Sequence, residues 1–391
     1  MTTINNTPPA CLLVRRRAFL ARAGAMAVSG GAGGLLRAYA ESVPEIDEGA
    51  QYEPWRSWRR DPHDPHEGAL AFVRAAVLAP SIFNTQPWLF KVTRARIEVY
   101  ADLKRNLGAF DVYEREMHLS LGCALQNILL AGAANGFRSS LALAPGKLEP
   151  RPDAKLEPVL VARIDLAPAR SLISELYDAI PRRHTSRDSF DARRELPSGF
   201  IEALMRLTQG EQDVRLFLFT ETIERRKLAT WMQEAAAVNL ADSAMQRGLQ
   251  PWIRHTGDDL RQSRDGERAS AEVGGALSAE TERALLLSGR LFGMIALHDR
   301  VDREQTLRAG GLWQRCHLLA TAWGLAARPY NSIILAIDQE RRGRRAPRYG
   351  NQLSEMTRVA AWQPTLMFYM GYPTVPPRAS PRRPATDVEL P

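Results

Sequence analysis

Few residues in this 391-residue chain have the type and spacing to do chemistry of their own. Ser81, His184 and Asp188 offer a hydroxyl, an imidazole and a carboxylate, but they form no recognisable nucleophile–base–orienter triad. His63 and His66 lie in the Pro-rich stretch DPHDPH with no further ligand nearby, so no metal site is expected. Cys123 and Cys316 fall at non-equivalent points of two helices, and buried free thiols are expected even where the compartment would allow a disulfide. What stands out instead are three polar stretches: Ala79-Pro80-Ser81-Ile82-Phe83-Asn84-Thr85-Gln86-Pro87-Trp88, Arg182-Arg183-His184-Thr185-Ser186-Arg187, and Pro381-Arg382-Arg383-Pro384.

The elements that must position them are organised around a repeat. Residues 111–136 and 299–324 align without a gap, pairing Asp111 with Asp299, Arg115-Glu116 with Arg303-Glu304, Gly122 with Gly310, Gln126 with Gln314 and Gly136 with Gly324. Composition alone would give roughly one or two such identities. Apolar residues recur at helical spacing in both copies and each copy closes at a glycine, so both are expected to be buried central helices. Asp111 and Arg115 read as structural for the same reason, since repeats preserve structure as readily as chemistry.

Two similar halves follow, at residues 67–168 and 169–391, each running helix, strand, central helix, strand. In the first half the helix is 67–78, with strands at 89–92, 97–100 and 158–164. In the second, a helix at 201–207 and a strand at 214–219 precede a long helical insertion, about 222–291, and the last strand is 364–370. The insertion has no counterpart in the first half and is expected to be a lid over the active-site face. Residues 41–66 read as an irregular leader wrapping the body. Trp88 reads as a core anchor.

The formal charge of +8 includes five arginines before residue 41 (Arg15, Arg16, Arg17, Arg22 and Arg37) with no acid among them, leaving +3 for the rest. That gives no case for nucleic acid. Arg16-Arg17-Ala18-Phe19-Leu20, a short small-residue apolar stretch and Ala38-Tyr39-Ala40 follow the order of a twin-arginine export signal. The apolar stretch is too short and Gly-rich to be a stable membrane anchor. The expectation is therefore handling by the Tat translocase, a periplasmic location, and a cofactor inserted before export.

The three polar stretches carry a resemblance. APSIFNTQPW resembles the A-P-S-x-x-N-x-Q-P-W loop of nitroreductase-like flavoproteins, and RRHTSRDSFD resembles their R-R/H-S-x-R/K-x-F segment. Met370-Gly371-Tyr372-Pro373 with Pro381-Arg382-Arg383-Pro384 resembles their C-terminal close. Their order, together with WIRHTGDDLRQSRDG, is similar to the Acg-type branch, in which two nitroreductase-like halves are fused. The resemblance implies an α+β, nitroreductase-like FMN-dependent fold, internally duplicated into a pseudo-dimer and hence a monomer. It implies one FMN per chain, because the first half has the loop and the second has the arginine segment. Trp55–Arg60 reads as a worn remnant of that segment in the first half.

By the same resemblance, Arg187 and Arg382 are the phosphate ligands, with Arg383 and the Thr185 hydroxyl next. Thr185 stands where the family has Ser and keeps the hydroxyl. Arg183 is placed near the pyrimidine edge, Pro80, Ser81, Asn84 and Gln86 meet the flavin from the other half, and Pro329 and Asn331 flank backbone near its reactive nitrogen. The implied activity is hydride transfer through flavin to a small electron-poor substrate, with no catalytic side chain required. The alternative is an exported protein that holds or sequesters FMN without turnover, because NAD(P)H is scarce outside the cytoplasmic membrane.

Overall fold

The computed structural model describes residues 49–59, 68–150, 156–269 and 277–391. The twin-arginine stretch and the DPHDPH histidines lie outside them.

The two central helices run Arg115–Ala134 and Arg303–Ala322. They begin and end at positions paired in the sequence repeat. Around the first, β1 (Trp88–Val92), β2 (Arg96–Ala101), β3 (Phe137–Leu143) and β4 (Val159–Pro168) form an antiparallel sheet in the order β1-β2-β4-β3. After it come β5 (Val214–Phe219) and, within the insertion, the two-residue strands β6 (Ile253–Arg254) and β7 (Glu267–Arg268). Then β8 (Leu291–Leu297), β9 (Ala326–Pro329) and β10 (Gln363–Gly371) join β5 in a second antiparallel sheet, ordered β5-β8-β10-β9. Strand for strand, the second sheet repeats the chain order, spatial order and pairing of the first. The insertion falls in the β5–β8 connection, where the first half has only a tight turn at Thr93–Ala95.

The sequence reading has no strand at β3, β8 or β9, nor at the two-residue β6 and β7. It ends the insertion at about Leu291 and assigns no element to the run LFGMIAL, which shows no alternation. Here Leu291, Ile295 and Leu297 enter the main core, while Phe292, Met294 and Ala296 enter a second one. A strand covered on both faces reads as uniformly apolar. The second core also contains Leu228, Met232 and Ala235 of helix Thr222–Ala241, Leu286 of helix Ala279–Ser288, and Ile333, Ile334 and Ile337. Much of the insertion is therefore a structural layer on the outer face of the second sheet. Among the described residues the first sheet has no such layer, and Leu141 on β3 is exposed.

The central helices cross at their paired glycines. A Cβ on Gly122 would lie 2.1 Å from the Leu307 carbonyl, and one on Gly310 2.1 Å from the Leu119 carbonyl. The polar contacts across this crossing are reciprocal. Gln314 Nε2 donates to Asn127 Oδ1 at 2.7 Å, and Arg315 Nη1 donates to Gln126 Oε1 at 3.1 Å. Gln126 is the repeat partner of Gln314, and Asn127 that of Arg315, so each contact is the symmetry mate of the other. Both cysteines are buried and free. The chain's last residues return to the first sheet, where Phe90 N–H donates to Val388 O and Leu390 N–H to Phe90 O.

Gly122→Ala and Gly310→Ala are each expected to lower the unfolding free energy by about 1–3 kcal/mol or more, since the facing atoms are backbone and cannot step aside. Gly311→Ala, whose nearest contact would be 3.6 Å away, is expected to be neutral or stabilising through helix propensity. Urea unfolding of the three variants tests this, and equal midpoints for all of them would show that the crossing tolerates a side chain.

Candidate functional site

The loop between residues 79 and 87 is bounded by Pro80 and Pro87 and is wound tightly. Phe83, Asn84 and Gln86 all have positive φ, at 42°, 54° and 50°. Three non-glycine residues in the left-handed region cost free energy that the surroundings must supply, and such strain clusters at functional sites. The Ser81 hydroxyl accepts from Gln86 N–H at 2.9 Å, and the Ser120 hydroxyl on the first central helix accepts from Ile82 N–H at 3.2 Å.

A cavity of about 230 Å³ opens against this loop. Pro80 and Ser81 line it from the loop, and Glu116, Ser120 and Cys123 from the first central helix. From the second half come Thr185, Arg187, Trp313 and the run Arg328-Pro329-Tyr330-Asn331. The insertion closes it with Asn239, Leu240, Leu249, Glu267 and Glu282. Part of the insertion thus lines this cavity, while the rest builds the second core.

Behind the cavity lies a buried charge network. Arg115 donates from Nε to Asp338 at 2.9 Å and from Nη1 to the Thr365 carbonyl at 2.6 Å, and its Nη2 pairs with Glu116 at 2.8 Å. Thr365 sits at the register shift of β10 against β8, which removes its carbonyl from the ladder. Glu116 also accepts from Asn331 Nδ2 at 2.8 Å, and Asn331 Oδ1 accepts from Met367 N–H at 2.7 Å. Asp111 caps the helix by accepting from the Glu116 and Met117 amides, while burial pushes its carboxyl up to about 7. Its repeat partner Asp299 accepts from Val301 N–H instead, and Arg303 packs on Gly146 and donates to the Pro145 carbonyl. The first copy's network, unlike the second's, stands against the cavity.

Of the eleven residues singled out in the sequence, Pro80, Ser81, Thr185, Arg187, Pro329 and Asn331 line the cavity. The other five stand behind the loop. Asn84 Nδ2 donates to the carbonyls of Gly266 and Pro381, and Gln86 Nε2 to that of Arg264. Arg382 donates to Asn84 Oδ1 at 2.6 Å and to the Ala79 carbonyl, while Arg383 N–H donates to Gln86 Oε1. Arg183 donates to the Leu78 carbonyl and faces His317 Nδ1 at 3.5 Å. Cavity residues that sequence reasoning missed include Tyr330, which hydrogen-bonds Glu282, and Arg328, Glu267 and Trp313. The insertion's low apolar periodicity gave no signal for Glu267 or Glu282.

Arg183 and Arg382 are 1% and 2% exposed, and no carboxylate pairs with either among the described residues. Their Nε atoms, His184 Nδ1 and His317 Nε2 have no hydrogen-bond partner. Burial lowers Arg183 to about 10 and Arg382 well below its ordinary value, the latter further through repulsion from Arg183. Trp55 of the leader closes the cluster, its ring centroid 4.8 Å from the Arg382 guanidinium carbon and 6.0 Å from that of Arg183, with His184 edge-on. Trp55, the first residue of the supposed remnant, thus touches the same arginines.

Burial, with the two guanidiniums adding to it, holds the His184 imidazole down at about 3, against 6.5 ordinarily. His317 is lowered in the same direction by burial. The unfolded chain therefore binds protons between about pH 6.5 and 3 that the folded chain refuses, so stability is full above 6.5 and is lost as pH falls. The loss attributable to His184 is on the order of a few kcal/mol. Urea midpoints measured across this range should fall, and His184→Gln should flatten part of the slope; an unchanged slope would mean that His184 is not held neutral.

No family model matches the chain. Over 262 residues it is 29% identical to "Putative NAD(P)H nitroreductase Rv3131" of Mycobacterium tuberculosis, covering 65% of this chain and 73% of that one. Over 277 residues it is 28% identical to "Putative NAD(P)H nitroreductase acg" of the same organism, covering 65% and 77%. Among solved structures, a "putative nitroreductase" from Anabaena variabilis superposes with a TM-score of 0.50 at 12% identity, over 82% of this chain and 91% of that one. With its two antiparallel sheets and paired central helices, the chain has the α+β nitroreductase fold.

Proposed function

We propose that this protein is an FMN-dependent oxidoreductase of nitroreductase type, which accepts hydride from a reduced donor and passes it to a small electron-poor substrate. The observation that carries the reading is the Arg183–Arg382 pair, two buried guanidiniums whose Nε donors have no partner and which face no carboxylate among the described residues. Buried cations without a counter-charge are costly, and a phosphate dianion supplies both charge and acceptors. The cavity, whose wall includes neither of the two, offers an apolar wall for a planar ring and a cation, Arg187, for its electron-rich edge. The M. tuberculosis relatives, named as nitroreductases, agree with this class.

The geometry favours exchanging two assigned roles. Arg183, beside Arg382 and His184, suits the phosphate, with Thr185 at the cavity wall between them and the ring. Arg187, whose side chain is half exposed in the cavity, suits the pyrimidine edge, where a cation favours the reduced cofactor. Arg383, Asn84 and Gln86 act by holding the loop and the C-terminal segment together. Bound FMN would supply the hydride chemistry itself, and the chain's residues bind, orient and exclude water. The repeated topology and reciprocal helix contacts support a fused pseudo-dimer that is monomeric in solution, and the twin-arginine stretch supports export through the Tat pathway.

Purified protein is expected to bind one FMN per chain by absorbance, and anaerobic NADPH or another low-potential donor is expected to bleach it. FMN that no donor reduces would point to sequestration, and failure to bind after reconstitution would remove the reading. Arg183→Gln is expected to weaken FMN binding about 10- to 100-fold, the loss of one charged hydrogen-bonding partner, as read by flavin fluorescence. An unchanged affinity would remove Arg183 from the phosphate site.

A further inference from the structure

The insertion brings a carboxylate to the one arginine on the cavity wall that is not walled in by other groups. Glu267 Oε1 pairs with Arg187 Nη1 at 2.8 Å, and both side chains line the cavity. The carboxylate is 11% exposed, against 53% for the arginine, so the carboxylate is the fixed partner.

Its position is built. Glu267 opens β7, which pairs with β6, and the preceding turn passes through Gly266 at φ 76° with the Arg254 guanidinium against it. Gly266 N–H donates to Asn84 O at 3.3 Å, and Asn84 Nδ2 donates back to Gly266 O at 3.0 Å. Asp265 is clamped between Arg105 and Arg254 at 2.9 and 2.6 Å. The strained loop of the first half therefore holds the turn that carries Glu267. Arg187 is fixed from the other side, since its carbonyl accepts from Arg328 Nη1 at 3.0 Å.

A latch that only kept the insertion closed would not need its carboxylate on the cation facing the ring edge. We infer that Glu267 is a positioning residue that acts through Arg187 to hold down the reduction potential of the bound cofactor. The inference rests on the FMN reading above. Paired with Glu267, Arg187 presents less net positive field to the cavity than it would alone, and so favours the negatively charged reduced ring less. This biases the site toward giving reducing equivalents away and suits a low-potential acceptor.

The test compares wild type, Glu267→Gln, Glu267→Asp, Arg187→Gln and the Glu267→Gln/Arg187→Gln double variant. FMN affinity and two-electron midpoint potential are measured for each. Glu267→Gln should raise the ratio of reduced to oxidised FMN affinity about tenfold, which is a midpoint shift of about 30 mV upward. Glu267→Asp should restore the wild-type value, and the Glu267→Gln shift should vanish on the Arg187→Gln background. A latch alone would weaken both redox forms equally and leave the potential unmoved. FMN binding with an unmoved potential, or a shift that persists without Arg187, overturns the inference and leaves the cofactor reading standing. No FMN binding in wild type overturns both.

Discussion

The close crossing of Gly122 on Gly310 constrains the molecule more than any other contact. With no side chain at either position, the two central helices approach to backbone contact, and the reciprocal Gln126–Arg315 and Asn127–Gln314 bonds fix rotation about the crossing. Glu116, Ser120, Cys123 and Trp313 bring both helices to the cavity wall. Glu116 at the start of the first meets Asn331 just beyond the second, and His317 on the second meets Arg183 at the back of the polar loop. A shift of an ångström at the crossing would part groups now held at hydrogen-bond distance.

A symmetric crossing would generate two equivalent sites, and the chain has differentiated them. At the start of the first central helix, Arg115 and Glu116 face the cavity through Asp338 and Asn331. At the start of the second, the chain following β3 lies directly on the helix: Arg303 N–H donates to Gly146 O, and Leu148 N–H to Val301 O. Gly146 presses against the Arg303 guanidinium so closely that a Cβ there would come within 2.7 Å of it. Space that is open at one end is filled by main chain at the other. The insertion adds to this asymmetry, since it grows from only one of the two equivalent hairpins.

The sequence made the central helices legible, though not their first residues, because a repeat that preserves helical spacing and glycine contacts is visible without knowledge of the partner. β5 and most of β10 were equally readable from short apolar runs between breakers. β8 was not, because burial on both faces erases the alternation that marks a strand, and β3 was not, because Arg138, Ser139 and Ser140 give it a solvated face. Among site residues, the motifs located the right loops but could not tell a wall residue from a brace. Asn84 and Gln86 occupy left-handed backbone that turns their amides toward Pro381, Gly266 and Arg264, and nothing in their type announces this. Glu267 and Glu282 were invisible because their role depends on where the insertion docks.

The buried arginines connect stability to function. The chain carries 44 acidic residues, and elsewhere it uses them to neutralise buried guanidiniums, as Asp338 does for both Arg115 and Arg300. Among the described residues Arg183 and Arg382 lack such a partner, although each repels the other and leaves a donor unsatisfied. Burying a guanidinium without compensation is opposed by several kcal/mol, so the rest of the core must over-stabilise this arrangement. An internal carboxylate would relieve that cost and would also compete with an anionic ligand for the same donors. Leaving the pair unneutralised makes ligand binding the step that completes the electrostatics, and by linkage an anion bound there stabilises the fold in proportion to its affinity. Burial, reinforced by these charges, disfavours protonation of His184 and His317. The contrast with Arg187, which does have its carboxylate in Glu267, then has a physical sense. On the proposed FMN reading, the cations that would hold a permanent charge are left bare, and the cation that would stand beside a charge that comes and goes with reduction is partly cancelled.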